Sequence, residues 1–355
     1  MTSFWDNLPQ PFFILAPMEA VTDVVFRHVV KKAAAPDVFF TEFANATGWV
    51  HAGDKAIAGR LIKTEDEHPL VAQIWGGEPG DMEQFAAHCA KLGFDGIDIN
   101  MGCPAKSAIK SGGAALIRRP DVAVAAIAAA KTAGLPVSVK TRLGYTYIDE
   151  WREWLGTLLA QDLANLTVHL RTKKEMSKVP AHYELIDDIV KLRDEIAPQT
   201  LLTINGDIRD RAHGEELFRA HPGLNGIMIG RGVFSDPFCF ACTGARASQK
   251  TIRDPREVAQ IFSETPLAPT NAHAEPEVEN NSLPTVTNHK QELIKLLNYH
   301  LDLFDHYQPT LGRPFETLKR FFKIYIRGFD GAKELREQLM NTKNTDEVRQ
   351  LINSN

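Results

Sequence analysis

Eight short apolar runs, separated by longer segments, constrain the fold of this 355-residue chain more than any other feature. Most of the separating segments are amphipathic or alanine-rich with helical periodicity, as at 79–92, 120–133 and 182–196. Parallel strands need helical crossovers of this kind, and continuous apolar strands are typical of a sheet that is buried on both faces. The pattern predicts a (β/α)8 TIM barrel, with a doubly wound open sheet as the structural alternative. The predicted strands are FFILAP (12–17), VFFTEF (38–43), LVAQIW (70–75), GIDIN (96–100), PVSVK (136–140), NLTVHL (165–170), LLTIN (201–205) and NGIMIG (225–230).

The chain continues well beyond the last of these runs. Residues 265–290 are rich in Pro, Asn, Thr and Glu and lack periodicity, which is typical of a linker or mobile loop. After them, apolar residues recur at helical spacing. We therefore expect a barrel domain over 1–250, a linker over 251–287 and a small all-helical domain over 288–355. Residues 288–355 hold 11 Lys/Arg and 9 Asp/Glu, which makes this the only net-positive section of a chain with a net charge of −5.

Composition limits the cellular setting. No window offers the roughly 18 unbroken apolar residues that a membrane span needs, and the N-terminus lacks the pattern of a secretion signal. We expect a cytoplasmic protein that does not bind membranes.

The four cysteines are too few and too scattered for a disulfide framework, and the lone C-x-x-C of Cys239 and Cys242 has no second pair to complete a metal site. Two buried structural thiols, and no metal, are the prediction there.

Polar or functional side chains stand at the predicted strand ends. In a barrel the reactive face is built at the carboxyl ends of the strands, so these residues would converge on one mouth. Each of them alone is compatible with an ordinary polar loop start, but all eight positions together favour a ligand site. They are Pro17 with Met18, Glu42, Gln73, Asn100 leading to Cys103, Lys140, His169, Asn205, and Gly230 with Arg231.

The loops after the last two strands have the composition of a phosphate site. They read NGDI at 205–208 and GRG at 230–232. Glycine lets backbone N–H groups approach phosphate oxygens, and Arg231 adds a charged fork. In TIM barrels these two loops frequently bind phosphate.

Three side chains at the predicted mouth have more than one possible role. Lys140 could bind phosphate, form a Schiff base or stabilise negative charge, and it could equally be a solvated strand-end lysine. His169 could orient a ligand or donate a proton, or it could be a core histidine. Cys103 lies on a loop between Gly102 and Pro104 with Lys106 and other cations nearby, which favour the thiolate or make the thiol a more available acid.

Taken in chain order, these segments resemble the tRNA-dihydrouridine synthases, flavoenzymes that reduce a uridine of tRNA to 5,6-dihydrouridine. The resemblance covers roughly the first 240 residues, and DINMGCPAK is its most specific part. The helical tail matches the family's accessory RNA-binding domain in kind. The matching segments are APMEAVTD (16–23), TEF (41–43), VAQIWG (71–76), DINMGCPAK (98–106), SGGAALIRRP (111–120), VSVKTRLG (137–144), VHLRT (168–172), NGDI (205–208) and IGRG (229–232).

The resemblance implies FMN at the barrel mouth and NADPH as its reductant. Hydride would pass from flavin N5 to uracil C6, and Cys103 would protonate C5. Asn100 would lie against the target uracil, which must leave its stack to reach the flavin. The cofactor-binding residues that the resemblance implies are Pro17, Met18, Glu19, Gln73, Lys140, His169, Asn205, Gly206, Asp207, Gly230 and Arg231. One departure is Leu170, where the family usually has glycine.

The RNA surface is predicted from basic residues on both domains, and no obligate protein partner is evident. Arg320, Lys323 and Arg327 are spaced to share one helix face. This stripe of cations could bind RNA, or it could be an ordinary solvated face of the helix. The neighbouring Phe322 and Tyr325 could belong to the core. The candidate RNA contacts are Lys106, Arg171, Lys173, Lys174 and Lys178 on the barrel, and Arg313, Lys319, Arg320, Lys323 and Arg327 on the tail.

Two other functions stay open at this point. A flavin barrel oxidoreductase acting on a free pyrimidine such as dihydroorotate would share FMN, a barrel and a loop cysteine or serine, but it would not need the helical domain. A non-catalytic RNA-binding protein on a barrel scaffold would bind no flavin. Deleting residues 288–355 and testing the purified protein for yellow colour separate these three hypotheses.

Overall fold

The computed structural model describes residues 3–242 and 286–354, with side chains of the second range described from 289 onward. Its strands form one parallel sheet in the order β1-β9-β8-β7-β6-β5-β4-β2, and the short β3 pairs with β4. A parallel bridge between Ile14 and Val38 joins β1 to the start of β2 and closes the sheet. The predicted TIM barrel is therefore confirmed. The strands are β1 Phe12–Leu15, β2 Phe39–Phe40, β3 Ala44–Asn45, β4 Leu70–Trp75, β5 Gly96–Asn100, β6 Val137–Arg142, β7 Asn165–His169, β8 Leu201–Asn205 and β9 Gly226–Ile229.

The second predicted strand, 38–43, is much shorter in the structure. Only Phe39–Phe40 has regular pairing. The N–H of Gln73 donates to the side-chain hydroxyl of Thr41 at 3.0 Å rather than to a main-chain carbonyl, which ends the ladder. The chain then leaves the sheet and returns as β3.

Helices follow the strands, and their starts are encoded locally. Asp23 caps the first helix by accepting from the N–H of Phe26 at 3.0 Å, and Asp210 caps a later one at His213. Pro79 and Pro120 occupy first-turn positions, where a missing N–H costs nothing. The barrel helices are α1 Val24–Ala34, α2 Ala46–Ala52, α3 Asp54–Ile57, α4 Pro79–Lys91, α5 Pro120–Lys131, α6 Trp151–Leu159, α7 Ile186–Ile196, α8 Arg211–Ala220 and α9 Gly232–Ser235, with 3-10 turns at Phe4–Asn7, Ala108–Lys110, Gly113–Arg118, Ile148–Glu150 and Tyr183–Leu185.

The barrel interior has an apolar side and a polar side. The apolar cluster contains Phe12, Ile14, Phe40 and Met228, and Trp5 packs against Phe12 with ring centroids 5.6 Å apart. Phe12 begins its strand, so Trp5 and Phe12 lie at the amino-terminal end of the barrel. The polar side, on β4 to β8, carries hydrogen-bonded side chains that remain buried. Because buried polar groups must be paired or must face a ligand, this asymmetry directs chemistry toward one side of the mouth.

The described residues divide into two compact units, of which the first, the barrel, extends to Phe240. The second is built from C-terminal helices, as predicted. Its core includes Tyr325, whose hydroxyl lies 2.6 Å from Nδ1 of His300; both side chains are buried, and Phe322 is buried as well. These helices are α10 Val286–Leu311, α11 Glu316–Lys319, α12 Phe322–Tyr325, α13 Ala332–Met340 and α14 Thr345–Asn353.

Three remaining predictions concern regions outside the barrel's sheet. The predicted linker, 251–287, lies outside the described residues except for 286 and 287, where α10 begins. Cys239 is buried, but Cys242 is exposed, so the prediction of two buried thiols is wrong for Cys242. Among the residues that the structure describes, no helix is both apolar enough and long enough to traverse a bilayer.

Candidate active site

A cavity of about 290 Å³ lies at the carboxyl ends of the strands. Nine of the eleven predicted cofactor-binding residues line it, and they come from five different strand ends or the loops that follow them. Their role in binding stays a prediction, but the barrel closure brings them together as the sequence pattern predicted. The lining residues are Ala16, Pro17, Met18, Pro104, Lys140, Arg142, His169, Met176, Ser177, Asn205, Gly206, Asp207, Ile208, Gly230 and Arg231.

Two cations of β6, Lys140 and Arg142, line one wall of this cavity. Burial, with the neighbouring Arg142 adding to it, lowers the pKa of Lys140 to about 8. The carbonyl of Lys140 accepts from the N–H of Met101 at 2.8 Å, but its ammonium group has no hydrogen bond or ion pair with any residue in the described part of the chain. Arg142 is fixed by its Nε, which donates to the carbonyl of Gly102 at 2.8 Å. A cation that lines a cavity and is not hydrogen-bonded to an acid favours an anionic or electron-rich ligand.

His169, at the end of β7, faces the same cavity. Burial lowers the pKa of His169 well below its usual value, and four surrounding cations, Arg142, Lys140, Arg171 and Arg231, act in the same direction. The imidazole is therefore neutral at physiological pH. Its Nδ1 atom is buried and has no hydrogen-bond partner among the residues that the structure describes. A ligand that bonds to this atom would satisfy it.

The turn after β8 is shaped to approach an anion. Gly206 and Asp207 have φ angles of 124° and 54°, so two successive residues lie in the region that favours glycine. The negative charge of Asp207 is paired with two arginines. Its carboxylate accepts from Arg231 Nη2 at 2.7 Å and also binds Arg171 Nη2, so it holds two guanidinium groups beside the cavity.

Arg171 was predicted on an RNA-facing surface, and that placement is wrong. Its side chain is only 2% exposed. Besides binding Asp207, it donates from Nε to the carbonyl of Val179 at 2.6 Å. Its buried Nη1 has no hydrogen-bond partner within 3–242 or 289–354. The neighbouring Leu170 is buried in the core and does not line the cavity, so the departure from glycine leaves the mouth open.

Cys103 lies on the loop after β5, next to the cavity-lining Pro104. Its backbone N–H donates to Oδ1 of Asn100 at 2.9 Å, and the N–H of Gly102 donates to the same oxygen at 3.1 Å. Burial raises the pKa of the Cys103 thiol, although a hydrogen bond from the backbone of Ala105 and the charge of Arg142 partly oppose it. The group is therefore a thiol at neutral pH. Of the two possibilities that the sequence left open, the structure favours the acid over the thiolate.

Glu19 and Gln73 were predicted to bind the cofactor but do not line the cavity. Glu19 forms an ion pair with Arg60. Gln73 is completely buried, and its Oε1 accepts from Nδ2 of Asn100 at 3.0 Å. Asn100 therefore lies between Gln73 and the Cys103 loop, and the predicted substrate residue Lys106 is exposed on that loop.

The predicted basic stripe on the tail is only partly formed. Arg320 and Lys323 are exposed, but α11 ends before Arg320 and α12 begins after it, so the two do not share one regular helix. Arg327 lies beyond the end of α12. Lys319 donates to the carbonyl of Met340 at 3.0 Å and is half-buried, so part of its role is structural.

Arg142 lines the cavity but was not among the residues predicted from the sequence. A signal for it was present, because strand side chains alternate and Arg142 lies two residues beyond Lys140 on the same side of β6. Met176 and Ser177 also line the cavity. They come from an irregular loop, so no periodic pattern in the sequence predicts their position.

Comparison with known proteins decides the family. The family model described as "Dihydrouridine synthase (Dus)" matches residues 14–306. This chain belongs to the dihydrouridine synthase family. The predicted family is thus confirmed, and with it the prediction of a flavin-dependent oxidoreductase.

Close relatives cover almost the whole chain. The "Probable tRNA-dihydrouridine synthase 2" of Bacillus subtilis strain 168 is 53% identical over 352 residues, covering 99% of this chain and 95% of the relative. The "Probable tRNA-dihydrouridine synthase" of Staphylococcus aureus strain Mu50 is 51% identical, covering 99% and 94%. A solved structure described as a variant of NCR from Zymomonas mobilis aligns with a TM-score of 0.42 and 16% identity over 67% of this chain and 89% of that chain, which is too weak to support an argument.

Proposed function

We propose that this dihydrouridine synthase reduces a uridine of tRNA to 5,6-dihydrouridine, with FMN held at the barrel mouth and Cys103 as the proton donor. The observation that carries the proposal is a half-buried thiol on a loop beside a cationic cavity, in a chain of this family. Two of its relatives are described as probable tRNA-dihydrouridine synthases, which supports tRNA as the substrate.

The cavity residues fit FMN by their chemistry. The Gly206–Asp207 turn and Arg231 would hold the phosphate, since backbone N–H groups and guanidinium forks are the usual phosphate ligands in proteins. Lys140 and the unpartnered Nδ1 of His169 would bond to polar atoms of the flavin, which removes the cost of leaving them unpaired.

Bound FMN supplies the hydride that reduces the C5=C6 bond of uracil at C6. The protein must then provide a proton to C5, and Cys103 holds one because burial raises the pKa of its thiol. The family resemblance further implies that Asn100 orients the uracil and that NADPH is the reductant. Because the base must enter the mouth to meet Cys103, the uridine must leave its stack.

The barrel carries a basic and aromatic surface that suits RNA. The ring of Tyr145 lies 3.8 Å from the guanidinium carbon of Arg118 and 4.7 Å from Nζ of Lys173. Tyr147 is 64% exposed, and Lys174 lies over it at 5.7 Å. Aromatic rings beside cations bind unpaired nucleotides by stacking and by phosphate attraction.

The backbone of this surface is held by one carboxylate. The carboxylate of Glu150 accepts from the backbone N–H groups of Tyr145, Thr146 and Tyr147 at 2.6, 3.1 and 2.9 Å. A preorganised loop loses little entropy on binding. We assign this loop, together with the exposed Lys178, Arg320 and Lys323, to the RNA footprint, and we place the enzyme in the cytoplasm, where its proposed substrate is found.

The test measures dihydrouridine in tRNA from cells that lack this protein. Supplying the wild-type chain should restore dihydrouridine at one or more positions, whereas Cys103→Ala should not. The purified wild-type protein should be yellow or become yellow with FMN. Unchanged dihydrouridine in the deficient cells at every position would overturn the proposal.

A further inference from the structure

Asp98 is a completely buried carboxylate near the mouth that neither the cavity nor the proposed reaction uses. It lies on β5, two residues before Asn100 and therefore on the same side of the strand. Two side chains donate to it: Ser138 Oγ to Oδ1 at 2.7 Å and Gln73 Nε2 to Oδ2 at 2.7 Å. A buried charge is costly, so its retention calls for an explanation.

The direction of the hydrogen bonds around Asp98 explains why an acid stands at this position. A carboxylate only accepts, so the amide nitrogen of Gln73 must face Asp98 and its Oε1 must face Asn100. That oxygen accepts from Asn100 Nδ2 at 3.0 Å, which turns Oδ1 of Asn100 toward the loop. The same Oδ1 accepts from the backbone N–H groups of Gly102 and Cys103.

Each link therefore fixes the next one. If the amide of Gln73 were reversed, its nitrogen would face Nδ2 of Asn100. Asn100 would then have to reverse as well and present N–H groups to the N–H groups of Gly102 and Cys103. The arrangement around Cys103 holds only while an acceptor stands at position 98.

The charged groups around Asp98 are compatible with this role. Burial raises the pKa of Asp98 to about 6, while Ser138, Gln73 and Lys140 oppose that rise, so the group is mostly ionised at neutral pH. Lys140 is the register partner of Asn100 on the adjacent strand β6, and Ser138 is the partner of Asp98. Gln73 is its partner on β4, the other adjacent strand.

We propose that Asp98 is a positioning residue that acts through Gln73 and Asn100 to hold the loop carrying Cys103. The assignment of Cys103 as the proton donor rests on the proposed function, but the chain of hydrogen bonds does not. The inference is therefore tested on the loop itself, independently of turnover.

The experiment measures how fast iodoacetamide alkylates each cysteine of the full-length protein, with the modified peptides resolved by mass spectrometry. The other cysteines serve as internal references, because Cys89 and Cys239 are buried and Cys242 is exposed.

Three variants are compared with the wild-type protein. Asp98→Ala removes the acceptor. Asp98→Asn keeps a carbonyl that accepts from Gln73 and an amide that donates to Ser138, so it is the conservative variant. Asn165→Ala is the matched control, since Asn165 is equally buried and hydrogen-bonded to Thr203 but has no link to the loop.

In Asp98→Ala, we expect Cys103 to react at least roughly fivefold faster than in wild type, the size expected from losing one buried hydrogen bond. Cys89 and Cys239 should stay protected. The pH at which Cys103 becomes reactive should fall, because a loosened loop exposes the thiol to water. Asp98→Asn and Asn165→Ala should react within about twofold of wild type, a margin below the loss of one such bond.

A double variant tests the path. If Asp98 acts through Gln73, Gln73→Leu should raise the reactivity of Cys103 by itself, and adding Asp98→Ala should have no further effect.

Three results would each overturn the inference. They are an unchanged Cys103 rate in Asp98→Ala, an equal rise in Asn165→Ala, and additive effects in the double variant. Should Asp98→Ala fail to fold, Asp98→Ser, whose shorter side chain does not reach Gln73, takes its place with the same outcomes. A loop effect in an enzyme that forms no dihydrouridine would leave this inference standing and remove the proposed function.

Discussion

The carboxylate of Asp207 binds Arg231 through Oδ1 at 2.7 Å and Arg171 through Oδ2, so one acid orients two guanidinium groups at the cavity. The two cations differ in exposure, with Arg231 66% exposed and Arg171 2% exposed. Arg171 is thus the buried anchor of the pair. Arg231 is the member that is free to meet a ligand in solution.

Arg231→Met should weaken FMN binding by roughly 10-fold to 100-fold, because a charge-assisted hydrogen bond to phosphate is lost. Flavin fluorescence in titrations of flavin-stripped protein measures this. Arg219→Met, the same change at an exposed position of α8, is the control and should have no effect. Riboflavin, which lacks the phosphate, should bind equally well to wild type and Arg231→Met. An equal loss for both ligands would contradict the phosphate assignment.

FMN affinity should depend on pH through Lys140. The pKa of Lys140 is lowered to about 8, so the charged form that favours an anionic ligand is present below that pH and is lost above it. Affinity should therefore fall as pH rises from 7 to 9, by at most about tenfold per pH unit for a single proton. Arg142, with its pKa lowered to about 10, and the neutral His169 do not titrate in this window. Lys140→Gln should bind more weakly at pH 7 and should lose this slope; the same slope in both proteins would exclude Lys140 as its source.

Cys103→Ala should retain FMN binding and flavin reduction while product formation falls by roughly two or more orders of magnitude, the usual contribution of a general acid. Rapid-quench measurement of dihydrouridine in a single turnover separates these steps. Cys242→Ala is the matched control, since that thiol is exposed. Wild-type product formation in Cys103→Ala would refute the role of the thiol as proton donor.

On the barrel surface, Tyr147→Ala should weaken tRNA binding by roughly 5-fold to 150-fold, the range for loss of one stacked base. Tyr147→Phe keeps the ring and should bind like wild type. Lys174→Gln should lower affinity and also reduce the salt dependence of binding, since one phosphate contact is removed. If neither Tyr147→Ala nor Lys174→Gln changes affinity or salt slope, this loop lies outside the RNA footprint.

On the helical tail, the double change of Arg320 and Lys323 to Glu should reduce tRNA affinity and flatten its salt dependence without altering flavin absorbance. Lys319 is left intact, because it donates to the carbonyl of Met340 and its loss would also disturb the packing of the helices. The double change of the exposed Lys333 and Lys343 to Glu alters the net charge by the same amount and is the matched control. An equal loss of tRNA affinity in both variants would show that the effect comes from overall charge and not from a contact at Arg320 and Lys323.

The sequence by itself determined the barrel and the positions at its mouth. Strand periodicity and helical crossovers are local patterns, and placing His169 and Asn205 at strand ends required only that the barrel close. Lys140 was predicted to end its strand as well, but β6 continues to Arg142. The thiol of Cys103 was found in the same way, as the residue just beyond β5. Local pattern also predicted the helical tail.

Only the tertiary structure decided which of these groups are charged, buried or paired. Arg171 looks like a surface cation in sequence, yet the turn at Asp207, 36 residues later, takes it into the interior. The two helices α11 and α12 break a stripe that continuous periodicity predicted. The protonation of Cys103 and the role of Asp98 depend on burial and on the direction of hydrogen bonds between strands, and those quantities arise from neighbours that are distant in sequence.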